Sequence, residues 1–206
     1  MNLNGIFNPE NKFWSFMDKI MNLCVLALFW FLFSIPVITA GASTAALFGY
    51  TLKLAVNEEG YVWRTFVRSF KENFFQATIL WLGVLAVGGF LGLDFYLCRF
   101  LNLGRTFKIV LFFALVSITL VYLLTIIYIF PLLAFFRLPL RRIVPHAFIM
   151  SVGNLYVSVT ILVIYGISAA LTYWIPMLFM VWFSLASFVA SHFYRHVFEK
   201  YVTEEA

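Results

Sequence analysis

The sequence predicts an all-α fold, a polytopic integral membrane bundle of helices. Three observations predict it. Of the 206 residues, 64% are hydrophobic and only 11% are charged, whereas a soluble domain carries about 25% charged residues. The charges also leave long gaps. None occurs between Lys19 and Lys53, between Glu72 and Asp94, between Lys108 and Arg137, or between Arg142 and Arg195. Each gap reaches the roughly 20 residues that a spanning helix needs, and the last is long enough for two. Finally, the 14 Lys and Arg cluster at the ends of the apolar runs, within a net charge of +5. That is the distribution of membrane orientation and anionic-lipid contact, not of nucleic-acid binding.

The chain reads as a single membrane domain over residues 1–206. Asn8-Pro9-Glu10-Asn11 resembles a helix cap. Behind it Phe13, Trp14, Phe16, Met17 and Ile20 recur at helical spacing, with Lys12 and Lys19 off that face. Residues 1–19 are therefore expected to form an interfacial helix. A helical hairpin follows over 20–56. Its first span ends at Ile35, because Pro36 removes a donor and disfavours helix in the residue before it. No basic region precedes this apolar run, and only Ala40 and Ala42 mimic a cleavage site, so it is read as a span and not as a cleaved leader. The second span, 39–56, carries Gly41, Ala45 and Gly49 four residues apart, flanked by Ala42 and Ala46. Such a face lets two backbones approach in lipid. The alternative is a re-entrant or interfacial helix here, leaving five spans instead of six.

Residues 57–73 form a basic elbow. After the turn Asn57-Glu58-Glu59-Gly60, Trp63, Phe66, Val67, Phe70 and Phe74 define one helical face, and Arg64, Arg68 and Lys71 another. This predicts an amphipathic helix lying on the bilayer, aromatic side down. A second hairpin covers 74–136. Its first span, 74–97, has Gly88 and Gly92 as a close-packing pair, and Asp94 near its end. Arg99, Arg105 and Lys108 surround a turn at Asn102, and Pro131 is expected to kink the next span. A second basic elbow, 137–150, holds Arg137, Arg141 and Arg142. The third hairpin covers 151–198, with Tyr173 and Trp174 at its turn, and 199–206 is a tail. Each elbow enters a span through an asparagine, Asn73 and Asn154, 81 residues apart. This hints at a parallel repeat.

With six spans and a cytoplasmic N-terminus, eleven Lys and Arg lie inside and three outside; the best five-span arrangement gives nine against five. The positive-inside rule prefers six, with both termini cytoplasmic.

Few residues suit chemistry. His192 and His196 are four apart, but Phe193 stands where a zinc-protease helix needs Glu. Cys24 and Cys98 lie at opposite ends of spans and do not form a disulfide framework. Asp94 is the one acid within an expected span, with Arg99 or Arg105 in reach after a turn. Asn73, Gln76, Asp94 and Asn154 are candidates for a polar path, although such groups more often cap helices or bond across a bundle. No catalytic residue, metal ligand or cofactor site is expected.

Several motifs resemble the YesL family of bacterial integral membrane proteins, a domain of unknown function. They are Asn8-Pro9, the run Ser34-Ile-Pro-Val-Ile-Thr-Ala-Gly-Ala-Ser-Thr-Ala-Ala46, Asn57-Glu-Glu-Gly-Tyr61, Phe66, Ser69-Phe70-Lys71, and Asn73 to Ala77. All lie in the first 80 residues, and the second half is similar only in hydropathy. Ala40 departs from the larger aliphatic residue expected before the glycine. The resemblance implies a bacterial plasma-membrane protein encoded beside ATP-driven (ABC) sugar importers and their sensor kinases. It thus implies a non-enzymatic accessory role in carbohydrate uptake or sensing. Its partners would be the bilayer with importer or kinase subunits, or a second copy. In that reading Gly41, Ala45 and Gly49 dock a partner helix, and Arg64, Arg68, Lys71, Arg137, Arg141 and Arg142 contact lipid or a cytoplasmic subunit. The alternative is a permease for a small, sugar-derived solute, with a cavity at the membrane midplane.

Overall fold

The computed structural model describes residues 12–100, 104–136 and 138–205. Arg137, the cap expected at residues 8–11 and the turn at Asn102 lie outside them. Among the described residues seven α-helices follow one another: α1 (Lys12–Ser34), α2 (Ala40–Leu54), α3 (Val62–Phe100), α4 (Arg105–Phe135), α5 (Leu140–Gly153), α6 (Leu155–Trp174) and α7 (Phe179–Glu205). Short 3-10 turns occupy Val37–Thr39 and Pro176–Leu178. Four stretches are long and apolar enough to cross a bilayer: Phe16–Ser34, Val62–Cys98, Thr106–Phe135 and Leu155–Trp174. At most 22% of any of these windows is buried within the protein. Their apolar faces therefore point outward, where only hydrocarbon accommodates them.

Two junctions differ from the sequence reading. The expected interfacial helix and first span are one helix, α1. The basic elbow and the third span are likewise one helix, the 39-residue α3, about 58 Å long. The aromatic face of its first turns is not laid on lipid. Phe66 is fully buried, with ring centroids 6.0 Å from Phe29 and 5.5 Å from Phe33, and Phe70 stands 5.0 Å from Phe33. Aromatic rings on α1 outcompete the bilayer for this face, and only Trp63 and Phe74 keep substantial exposure. The second elbow does form a separate helix. On α5, Ile143, Ala147, Met150 and Ser151 are buried at helical spacing, with Arg141 and Arg142 exposed on the other side. The first passage, at Asn73, is thus continuous, while the second breaks at Asn154, which joins α5 to α6 by itself.

At the centre stands α2. Twelve of its 15 residues are buried, so it has almost no surface left for lipid. At about 23 Å it is shorter than the roughly 30 Å hydrocarbon core, and it is not one of the four candidate spans. One core packs its Ala42, Ala45, Phe48 and Leu52 with α3, α4, α5, α6 and α7; another packs Ala46, Leu47, Tyr50 and Leu54 with α1, the start of α3, and α7.

The small-residue face settles where α2 sits. A Cβ on Gly41 would stand 2.5 Å from Trp81 Cβ and 2.7 Å from the Ala77 carbonyl oxygen, and one on Gly49 would collide with the Ser69 side chain. The face therefore packs on α3, not on α1, and it is enclosed within this chain. It is not open to a partner helix or a second copy, as the sequence reading had it. The other expected pair divides. Gly88 lies under the Tyr122 hydroxyl, whereas Gly92 is exposed with nothing near its Cβ position.

The turn between α1 and α2 explains the polar residues of the same run. Thr39 Oγ1 donates to the Phe33 carbonyl, 2.6 Å, at the end of α1. Ser34 and Ser43 share a 2.5 Å hydroxyl contact, and Trp30 Nε1 donates to Thr44 Oγ1, 3.1 Å. Trp81 Nε1 donates to the Val37 carbonyl, 2.8 Å, and ties the turn to α3. At the other end, the Glu58 and Asn57 amides bond back to the Lys53 and Leu54 carbonyls, with Asn57 left-handed at φ 57°. This is a Schellman stop with asparagine in place of glycine.

Replacing Gly41 by Leu is expected to cost about 1–3 kcal/mol or more, since a packed core does not absorb added volume. Gly92→Leu, made as a control, is expected to leave stability within about 0.5 kcal/mol. Thermal unfolding in mild detergent checks both; equal midpoints would show that the α2–α3 contact is loose.

Candidate functional site

Because α3 projects past the apolar zone, its charged residues Arg64, Arg68, Lys71 and Glu72 fall within its first three turns. Three of them line a cleft of about 1100 Å³ with Lys53 of α2, Asn73 and Gln76 of α3, and the α4–α5 turn around Leu138 and Pro139. Arg68 Nε donates to Glu72 Oε1 at 2.8 Å across one helical turn. Both groups are well exposed, so this pair contributes well under 1 kcal/mol. Arg64 lies over the Tyr61 ring, 5.5 Å from its centroid. With one carboxylate and three cations, the cleft carries net positive charge. Gln76 and Asn73 supply amides at its inner wall. Asn73 Nδ2 is engaged by its own helix, donating to the Ser69 carbonyl at 3.0 Å. Such a surface suits an anionic partner, by attraction that speeds encounter and fixes orientation more than it adds affinity.

Basic residues from distant parts of the chain gather at this end. Lys19 Nζ donates to Asn57 Oδ1, 2.5 Å, beside the cleft. Arg195 of α7 is 5.6 Å from the Phe135 ring centroid and paired with Glu199 at 2.9 Å.

Inside the bundle lies a different set of polar groups, which the sequence reading missed. Pro131 has no amide hydrogen, so the Ile127 carbonyl one turn earlier loses its helical donor. Tyr194 of α7 fills the gap: its hydroxyl donates to the Ile127 carbonyl at 2.6 Å. Ser158 Oγ is 2.7 Å from the Ser151 carbonyl, 3.0 Å from the Asn154 carbonyl and 3.2 Å from the Tyr128 hydroxyl. It fastens the α5–α6 joint to α4. Ser191 Oγ donates to Thr51 Oγ1, 2.8 Å, and Ser184 Oγ to the Leu23 carbonyl, 3.1 Å. The signal for the last two is a small-residue face on α7, Ser184, Ser187 and Ser191, with helical spacing like that of α2.

The expected polar path is not assembled. Asn73 and Gln76 line the cleft. Asp94 is 21 residues further along α3, about 32 Å away, and the Arg99 and Arg105 side chains lie outside the described residues. Asn154 bonds the Met150 carbonyl and approaches the Tyr201 hydroxyl at 3.4 Å. Of the expected contact residues, Arg64 and Arg68 line the cleft, while Lys71 and Arg142 are exposed outside it. Arg141 borders a separate groove. Lys53, which was not among the expected contact residues, belongs to the cleft. The His192 ring instead packs edge-on to Phe188, centroids 5.0 Å apart. Among the described residues no three His, Cys, Asp or Glu gather as metal ligands would.

Four apolar helices, a filled centre and a cationic cleft at one end define a helical protein of membrane type. In sequence, a family described as a protein of unknown function, DUF624, matches residues 23–95. That segment runs from α1 through most of α3, and the YesL proteins that its motifs resemble belong to the same family. No curated protein and no solved structure matches the chain.

Tyr194→Phe should destabilise the bundle by about 1–3 kcal/mol, because it leaves a buried carbonyl without a donor. Tyr156→Phe removes an exposed hydroxyl and should change nothing measurable. Reversible unfolding by titrating a denaturing detergent into micelles measures both; equal values would show that Ile127 finds another donor.

Proposed function

We propose that the chain is a non-enzymatic, six-span protein of the bacterial plasma membrane with both termini in the cytoplasm. In this reading it is an accessory partner of a carbohydrate ABC importer or of its sensor kinase. One observation carries the proposal: the middle of the bundle is occupied by a helix, α2, while the polar surface opens at one end. A permease for a sugar-derived solute needs a solute-sized space lined by free polar groups near the midplane. Around α2 that space is taken by Phe48, Tyr128 and Tyr194, all at most 3% exposed. A cationic cleft at the membrane surface suits an acidic segment of a cytoplasmic subunit instead.

The count of six rests on α1, α2, α3, α4, α6 and α7 as crossings, with α2 enclosed by the others and α7 buried only along its serine and alanine face. The contact between Lys19 and Asn57 supports it, since α1 leaves from and α2 returns to the same end. The same end holds Lys53, Arg64, Arg68 and Arg195, the side that the positive-inside rule assigns to the cytoplasm. The importer or kinase as partner rests on the resemblance to the YesL family.

The test is affinity purification from native membranes in mild detergent. The unaltered chain should recover importer or kinase subunits. The double variant Lys53→Glu, Arg64→Glu should lose them while its thermal midpoint stays within the range of surface substitutions, about 0.5 kcal/mol. Recovery of nothing but the chain itself would contradict the proposal.

A further inference from the structure

A second cavity, separate from the basic cleft, opens sideways between α3 and α4. It has a volume of about 540 Å³, within the roughly 300–1,000 Å³ of small-molecule sites. Its walls run from Ile79 to Val87 on α3 and from Tyr122 to Ile129 on α4. Eight residues of helix make that about 12 Å long. One leaflet of hydrocarbon is about 15 Å deep, half of the roughly 30 Å core.

The polar groups in the walls are already engaged. Tyr122 donates to the Val84 carbonyl at 2.6 Å and Thr125 to the Val121 carbonyl at 2.8 Å. What remains is hydrocarbon. Gly83 widens the groove, since a Cβ there would meet nothing within 4 Å. Tyr122 closes the inner end, and it fits only because Gly88 has no side chain: a Cβ there would stand 2.8 Å from the hydroxyl.

At the other end the lining changes to Leu140, Arg141 and Val144 of α5. Arg141 is exposed, and among the described residues no carboxylate pairs with it. It begins the helix that follows the turn beside the basic cleft, at the end of the bundle where Lys and Arg concentrate. One apolar slot about a leaflet deep, with one exposed cation at its lip, is complementary in shape and charge to an anionic phospholipid. Cationic pockets between membrane helices on the cytoplasmic side recognise such headgroups.

We propose that this groove holds one anionic phospholipid of the cytoplasmic leaflet, with an acyl chain between α3 and α4 and its phosphate against Arg141. The proposal needs the bilayer orientation given above but not the importer or kinase partner. Two features of the sequence acquire a role in it. Gly88 seats the tyrosine that ends the slot, and Arg141 is the headgroup contact of the second elbow.

Native mass spectrometry of the full chain in mild detergent, with phosphatidylglycerol added, tests it. The unaltered protein should retain one phosphatidylglycerol and discriminate against phosphatidylethanolamine. Arg141→Gln should weaken retention about fivefold, the worth of one cation near a charged headgroup. Gly83→Leu should abolish it by filling the slot, and Gly92→Leu, equally open but outside the groove, should leave it unchanged. Equal retention of both lipids, or unaltered retention by Arg141→Gln, would overturn the proposal. A phosphatidylglycerol with a photoreactive acyl chain provides a second measurement on the unaltered protein. Crosslinks on residues 79–87 and 122–129 support the site, and crosslinks confined to other helices overturn it.

Discussion

Everything in this bundle depends on how closely α2 approaches α3. At Gly41 the two backbones are so near that a single added carbon would meet the Ala77 carbonyl. In lipid, apolar area gives helices no reason to associate, because the tails are as apolar as the side chains. Dispersion at close range and hydrogen bonds between helices must supply the attraction instead. Glycine and alanine along α2 bring backbone atoms into that range. Once α2 is seated there, its other faces must be covered as well, and α1, α4 and α7 cover them.

The hydroxyl groups follow from the same enclosure. A carbonyl freed inside the bundle, away from water, needs a donor. Pro131 frees one at Ile127, and Tyr194 reaches across from α7 to meet it. The α1–α2 turn frees another at Phe33, and Thr39 meets it locally. The α5–α6 joint is held by Ser158. These bonds join elements far apart in the chain and give the interior a fixed arrangement. The charged groups, by contrast, stay at the ends, where water solvates them. The division between a closely packed interior, in which only the Tyr50 hydroxyl and the Trp182 indole N–H among the described bundle residues are buried without a partner, and a cationic, open end is the physical basis for reading the molecule as a docking partner and not as a conduit.

Much of this was legible in the sequence. Charge-free gaps and clustered cations indicated helices of membrane type, and the spacing of Gly41, Ala45 and Gly49 indicated close packing. Pro36 marked the end of α1. Three things were not legible. The period of small residues says that some helix approaches, but not which, and the partner proved to be α3. Amphipathicity cannot tell a face turned to lipid from one turned to aromatic neighbours, so Phe66 and Phe70 were assigned to the bilayer when they meet α1. A glycine pair at four-residue spacing need not share a contact: Gly88 seats Tyr122, while Gly92 seats nothing. The Tyr194 contact is between residues 67 apart. Only Pro131 signalled that a donor was needed, and it did not say from where. For the site, Arg64, Arg68, Asn73 and Gln76 were legible as polar residues at a helix entrance. That they share a cleft with Lys53 follows from the α2–α3 register, which a single sequence does not reveal.

The central claim is that α2 is a buried post with almost no surface in contact with lipid. Footprinting the unaltered protein in bilayers, with a small carbene precursor dissolved in the hydrocarbon core and peptide mapping afterwards, tests it most directly. Labelling should be dense on α3, α4 and α6 and absent from residues 40–54. Labelling of residues 40–54 at the level seen on α6 would contradict the account, because it would place α2 at the perimeter with its small-residue face open to the membrane.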